Sequence, residues 1–161
     1  MPSRQNRDSR PLLVDGFHPI TLEQVRALCV TPFAFSNTRS KIMDDLLATV
    51  ARFEASGLRA EIWIDGSFLT ATINPNDVDL LLALPEDFHE TATPEQTEIL
   101  NSLGDDSWPG GCDISVLHSY PEGHLLHERY VDMRVYWCHQ FGLSRKREAK
   151  GIATVRIGGG T

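Results

Sequence analysis

Two aspartates, Asp77 and Asp79, have the spacing that most directly suggests chemistry in this sequence. Side chains two positions apart on a β-strand project from the same face, so a strand that begins at Asp77 places both carboxylates side by side. Neighbouring carboxylates repel each other unless water surrounds them or a cation bridges them. Mg²⁺ is a suitable bridge because it prefers carboxylate and phosphate oxygens. The pair therefore predicts a magnesium site at the start of a strand.

A glycine–serine pair, Gly66–Ser67, lies upstream of these aspartates, with nine residues between the two motifs. Glycine has no Cβ, so a ligand can approach its backbone closely. Ser67 can offer its hydroxyl and its backbone N–H to a phosphate. A solvated strand end is the competing interpretation, because aspartates are common at turns. That interpretation suffices for Asp77 alone. Asp79, however, lies inside the strand next to an apolar run, where an unpaired charge is costly.

The elements that must position these residues follow from periodicity and turn residues. A capping box over residues 21–24 predicts a first helix, and a second helix is expected to start near Ser36 or Asn37 and to end at Gly57. Residues 11–20 are expected to lie over the surface of the core. Strands are predicted at 60–65, 77–84, 112–117 and 152–157, and the last of these is expected at a sheet edge. Further helices are predicted at 94–103 and 124–141. This order favours an α/β (α+β) fold, in which a mixed β-sheet packs against helices.

Length and charge limit the classes of function. The chain has 161 residues and a formal net charge of −7, which suits one domain over residues 12–157 after a flexible tail at 1–11. The acidic balance argues against extensive binding to duplex DNA. No apolar run predicts a membrane span or a signal peptide, so a cytoplasmic protein with no membrane partner is expected. A basic cluster at 145–150 is interpreted as a solvated loop, or alternatively as a surface that faces an anionic substrate.

The motif Gly66–Ser67, nine residues, then Asp77-Val78-Asp79-Leu80 resembles the signature of the polymerase-β-type nucleotidyltransferase superfamily. The wider sequence is similar to an uncharacterised bacterial group of small nucleotidyltransferase-like proteins. The shared features are at residues 15–16 with Pro19, 64–68, 111–112 and 150–152. The resemblance implies a nucleotidyltransferase-like mixed sheet, a bound nucleoside triphosphate such as ATP, and a third carboxylate on a neighbouring strand.

Asp113 is the best candidate for that third carboxylate. If Asp113 shares a strand face with Ser115 and Leu117, the residues at 112, 114 and 116 pack on the other side. A solvated charge at the start of a strand is an equal alternative. Asp105 and Asp106 are weaker candidates, because they lie in a loop and have the character of turn residues.

The implied activity is Mg²⁺-dependent transfer of a nucleoside monophosphate from a nucleoside triphosphate to an acceptor. Two magnesium ions would be held by Asp77 and Asp79, and Asp113 would complete the second metal site or act as a base. The acceptor stays open between a small molecule, a tRNA, a protein and another nucleotide. One alternative is a catalytically inactive binding module with this fold, of the antitoxin or regulator type. Another is a ribonuclease that uses Arg134 and His139.

Overall fold

The computed structural model describes residues 10–144 and 146–159 of the chain. Five strands form one mixed sheet in the order β1–β5–β2–β3–β4. The strands are β1 Gly16–Pro19, β2 Ala60–Asp65, β3 Val78–Ala83, β4 Cys112–Leu117 and β5 Gly151–Ile157. The helices are α1 Leu22–Cys29, α2 Arg39–Ala55, α3 Phe88–Thr91, α4 Pro94–Asn101 and α5 His127–Gly142. The predicted α+β fold with a mixed sheet is therefore confirmed.

Strand directions in the sheet alternate between parallel and antiparallel pairs. β2 is antiparallel to both β3 and β5, whereas β1 pairs parallel to β5 and β3 pairs parallel to β4. The prediction that the last strand lies at an edge is wrong, because β1 covers its outer side. β5 is buried along nearly its whole length, as expected for an inner strand covered on both faces. The predicted surface segment at 11–20 contains this short β1.

The sheet separates two hydrophobic layers of unequal size. β3 alternates between them: Val78 and Leu80 face the larger layer, whereas Leu81 faces the smaller one. The larger layer contains the apolar stripes of α1 and α2, including Val25, Leu46 and Phe53. The smaller layer lies under α5, and its buried members are Trp63, Leu81, Leu117, Phe141 and Ile152. The functional candidates lie on the α5 side of the sheet.

Helix starts agree with the predicted caps where a complete capping motif exists. Thr21 and Thr93 both form capping boxes, with Gln24 and Gln96 as their partners. The second helix begins at Arg39 rather than near Ser36, because the Ser36 hydroxyl accepts the N–H groups of residues 38 and 39 ahead of it. The last helix begins at His127 rather than His124. Turns that run from Pro121 to His127 precede it.

The beginning of the described chain is attached to the rest of the fold. Arg10 accepts a backbone hydrogen bond from Ala71, and Pro11 forms a β-bridge with Thr70. Residues 1–9 of the predicted flexible tail lie outside the described residues. Within the part that the structure describes, no helix is long and apolar enough to cross a bilayer.

Candidate active site

The strand register brings the predicted carboxylates to the same end of the sheet. Asp79 on β3 is directly opposite Asp113 on β4. On its other side, Asp79 is directly opposite Asp65 on β2. Asp77 lies two residues before Asp79, and both line one pocket. The expected alternation along β4 is also present, because residues 112, 114 and 116 pack on the larger hydrophobic layer.

Burial and mutual repulsion raise the pKa values of Asp77 and Asp79, so these two carboxylates hold protons more strongly than usual. Burial, followed by the charges of Asp77 and Asp113, raises the pKa of Asp79 to about 6. Burial and the charge of Asp113 raise the pKa of Asp77 as well. The three groups therefore affect one another electrostatically, and a cation among them would relieve the repulsion.

Asp65 is a fourth acidic residue at this site, and the sequence motif did not assign it a role. It is only 1% exposed, and its Oδ1 lies 3.1 Å from the Lys150 Nζ. Oδ1 also accepts the backbone N–H of Gly66, while Oδ2 is buried with no hydrogen-bond partner among the described residues. Burial raises the pKa of Asp65 to about 7, even though Lys150 opposes the shift. The sequence did contain a signal for Asp65, namely its position at the end of a strand directly before Gly66.

Gly66 is required for the close packing between β2 and β3. Its φ is 89°, and a Cβ at this position would lie 2.7 Å from the Asp79 Oδ2. That distance is shorter than van der Waals contact, and an L-residue would also be strained at this φ. The glycine therefore permits the close approach of the turn to Asp79. Ser67 follows at the start of a short 3-10 helix and lines the same pocket as the aspartates.

Arg39 organises the connection between the two motifs, and sequence reasoning missed it. Its guanidinium is fully buried and donates hydrogen bonds to backbone carbonyls, those of Cys29, Phe68, Thr70 and Thr72. It also lies 3.7 Å from the centroid of the Phe33 ring. Three of these four carbonyls belong to the connection between Ser67 and Asp77, so Arg39 fixes the path of that segment.

Asp45 fixes the start of β4 and with it the position of Asp113. The Asp45 Oδ2 accepts the backbone N–H of Gly111 at 2.9 Å, and its Oδ1 lies 2.6 Å from the Lys41 Nζ. A Cβ on Gly111 would collide with this carboxylate. Asp45 therefore explains why a glycine precedes β4 two positions before Asp113.

Asp77 and Asp79 open into a pocket of about 790 Å³ between the sheet and the end of α5, whereas Asp113 is not part of its lining. Its lining includes Gly66, Ser67, Asp77 and Asp79. The lining also includes polar and basic groups, among them His139, Gln140, Arg147 and Lys150. Part of the basic cluster thus faces the aspartates, which corresponds to the anionic-substrate alternative for that cluster.

The weaker candidates from the sequence lie elsewhere. Asp105 is an exposed turn residue that accepts the Ser107 N–H, and Asp106 is exposed in the same turn. Arg134 lines a separate, smaller pocket beside Trp63, whereas His139 lines the same pocket as Asp77 and Asp79. The two residues that a ribonuclease would use therefore line different pockets.

The donor chemistry of the site fits a divalent cation such as Mg²⁺, because its oxygens are carboxylates whose mutual repulsion a cation would offset. Asp77, Asp79 and Asp113 are the residues that would hold it. Across residues 10–144 and 146–159, no three His, Cys, Asp or Glu side chains form a preassembled metal site. A cation would therefore have to draw these carboxylates together.

Comparisons with known proteins give a family and one partial similarity. The chain matches a family of unknown function, DUF6932, over residues 5–156. It is also 32% identical over 79 residues to the bifunctional glutamine synthetase adenylyltransferase/adenylyl-removing enzyme of Corynebacterium diphtheriae. That match covers 46% of this chain but spans only 8% of the length of the enzyme. No solved structure matches the chain.

Proposed function

The chain belongs to the DUF6932 family of unknown function, and we propose that it transfers a nucleoside monophosphate from a nucleoside triphosphate to an acceptor. The observation that carries the proposal is the alignment of Asp79 with Asp113 across β3 and β4, in a fold where Asp79 shares a pocket with Gly66 and Ser67. The similarity to an enzyme named as an adenylyltransferase supports the same class of reaction. The resemblance of the motif to the signature of the polymerase-β-type nucleotidyltransferases is a further support for the proposal.

In this reaction an acceptor oxygen forms a bond to the α-phosphorus, and the bond between that phosphorus and the oxygen bridging to the β-phosphate breaks. Pyrophosphate leaves with that bridging oxygen. Divalent cations held by Asp77, Asp79 and Asp113 would supply Lewis-acid stabilisation of the phosphate charge. Ser67 and the backbone at Gly66 position the phosphates beside the carboxylates.

Asp113 has a different environment from the other two carboxylates. It is exposed, whereas Asp79 is half-buried, so it lies on the side from which an acceptor can approach. This position suits a residue that completes the cation site or receives the acceptor proton. Much of the rate gain would come from alignment of the reactants and from electrostatic stabilisation, because no covalent intermediate is needed.

The first experiment tests binding, because binding does not depend on the unknown acceptor. Calorimetric titration with a nonhydrolysable ATP analogue should show binding that requires Mg²⁺. Asp77→Asn and Asp79→Asn should weaken this binding. Asp106→Asn is the matched control, because its carboxylate is exposed and is not part of the pocket lining. If the wild-type chain binds neither Mg²⁺ nor the analogue, the proposal is wrong.

The second experiment tests turnover. Nucleoside triphosphates labelled at the α-phosphate are incubated with Mg²⁺ and with the chain itself, tRNA or small hydroxyl compounds as acceptors. We expect labelled product and pyrophosphate with the wild type, and at least a ~100-fold lower rate with Asp79→Asn. Equal product formation by the wild type and Asp79→Asn would refute the assignment. If the chain binds nucleotide in the presence of Mg²⁺ but transfers none to any acceptor, the alternative of a catalytically inactive binding module would be favoured.

A further inference from the structure

The segment between α5 and β5 forms a tight hairpin beside the pocket. Leu143 pairs with Ala149, the Ser144 N–H donates to the Glu148 carbonyl, and the Arg147 N–H donates to the Ser144 carbonyl. The Lys150 N–H donates to the Gly142 carbonyl. These bonds place Arg147 directly before Glu148, at the end of the loop that follows Ser144. In a common type of β-hairpin, the residue at this position is left-handed.

That left-handed position is normally occupied by glycine, because an L-side chain is disfavoured there. Here the residue is Arg147, with a φ of 61°. It is the only non-glycine residue with a positive φ within 10–144 and 146–159. The six glycines with a positive φ show that this chain uses glycine elsewhere in such conformations. Local turn chemistry therefore does not explain why arginine occupies this position.

The location of Arg147 offers a functional explanation. It lines the 790 Å³ pocket together with Gly66, Ser67 and the two aspartates of β3. In the described part of the chain, its guanidinium has no carboxylate within ion-pair distance. Departures from local preference are expected at functional sites, where a side chain is retained for what it binds.

We propose that Arg147 is a phosphate-binding residue, held in a strained backbone conformation so that its guanidinium faces the pocket that takes the triphosphate. This inference rests on the proposed function for the identity of the ligand. Guanidinium is suited to this role because its planar set of N–H groups can donate two parallel hydrogen bonds to one phosphate. The hairpin holds the residue in the lining of the pocket that also contains Asp77 and Asp79, where it would bind phosphate oxygens that the carboxylates repel.

The test uses the opposite effects of one substitution on stability and on binding. Arg147→Gly should remove the backbone strain and raise the melting temperature by about 2–4 °C. The same substitution should weaken binding of inorganic tripolyphosphate about 10- to 100-fold, since a charge-assisted contact is lost. Arg147→Lys keeps the charge but not the planar donors, so its affinity should be intermediate. A residue with a purely structural role would not gain stability and lose binding together.

A matched control reverses the backbone change. Gly104 has a φ of 89° and would have no neighbour within 4 Å of an added Cβ, so Gly104→Ala adds strain without a collision. It should lower the melting temperature and leave tripolyphosphate binding unchanged. This control separates backbone strain from ligand contact.

The outcomes separate this inference from the proposed function. Wild-type affinity for tripolyphosphate in Arg147→Gly, or a lower melting temperature, would overturn the role of Arg147. Nucleotide transfer by a wild-type chain that does not bind tripolyphosphate would overturn it too. A third outcome is that Arg147→Gly loses tripolyphosphate binding while the wild type transfers no nucleotide. Arg147 would then still be an anion-binding residue. That result would refute only the proposed function.

Discussion

At the scale of single residues, the candidate site is defined by carboxylates that the fold places at one end of the sheet despite their repulsion. Asp79 is the centre of the arrangement, because it has Asp65 and Asp113 as its direct cross-strand neighbours. Lys150 offsets part of this charge through its ion pair with Asp65. The raised pKa values of Asp65 and Asp79 indicate that this one cation does not cancel the cost of burial. Protons or additional cations are therefore expected to stabilise the fold.

This electrostatic cost gives a pH-dependent stability. The pKa of Asp79 is raised from 3.8 to about 6 in the folded chain, so the folded state holds more protons than the unfolded state between these values. The contribution of Asp79 to stability is then fully present below about pH 4 and is lost as the pH rises through 6. Asparagine has nearly the same shape without the charge. We therefore expect Asp79→Asn to melt at a higher temperature than the wild type at pH 7.5, with a smaller difference at pH 4.

Thermal melts in the presence of a chelator measure this difference without interference from bound cations. Asp106→Asn is the control, because this carboxylate is exposed and its replacement should give the same small shift at both pH values. A difference between Asp79→Asn and the wild type that does not change from pH 4 to pH 7.5 would contradict the burial and repulsion assigned to Asp79.

At the scale of secondary-structure elements, the ends of the site motif could be predicted but the segment between them could not. Asp77 and Asp79 follow from strand periodicity, and Gly66 follows from the turn at the end of β2. The connection after Ser67 depends on Arg39, whose carbonyl partners are 10 to 33 residues away. No local pattern encodes such contacts. The available signal was a charged residue one helical turn before Ile42 and Met43, on the buried face of α2.

Arg39 makes a specific prediction for stability. Replacing it with methionine keeps much of the side-chain volume but removes the donors to the carbonyls of four residues. Because breaking a buried charged network leaves its partners unsatisfied, we expect Arg39→Met to lower the free energy of unfolding by about 3–5 kcal/mol. Urea denaturation measures this loss.

Arg26→Met on α1 is the matched control for Arg39→Met. The Arg26 guanidinium is partly exposed, and its nearest charged partner, Asp44, is 3.8 Å away. An exposed pair of this kind contributes about 0–1 kcal/mol, so this variant should unfold close to the wild type. If the two methionine variants lost similar stability, the network around Arg39 would not be what holds the connection.

At the scale of the whole molecule, the fold class was predictable but the strand order was not. Local periodicity indicates where strands and helices lie, whereas the pairing of Gly16 with Gly151 joins residues near the two ends of the described chain. The short β1 has no regular alternation of buried and exposed residues that would predict it. Asp113 was predictable only through resemblance, since its role depends on β4 being placed parallel to β3.

The two hydrophobic layers also predict unequal local stability. The larger layer joins α1 and α2 to the sheet, whereas α5 is attached through the small cluster around Trp63 and Phe141. Regions with fewer buried apolar contacts open at lower free energy. The end of α5 supplies one side of the pocket through His139 and Gln140, so opening of this helix would disrupt the site before the sheet unfolds.

Native-state hydrogen exchange tests this hierarchy. In the wild type, amides of α5 should exchange at a lower opening free energy than those of β2 and β3. Phe141→Ala removes a buried ring that packs against Trp63 and Trp137, and it should lower α5 protection by about 3–5 kcal/mol. Val135→Ala on the same helix changes a side chain that is 50% exposed and should have little effect. Equal loss of protection in α5, β2 and β3 would mean that the helix and the sheet open as one unit, and that the pocket is as stable as the core.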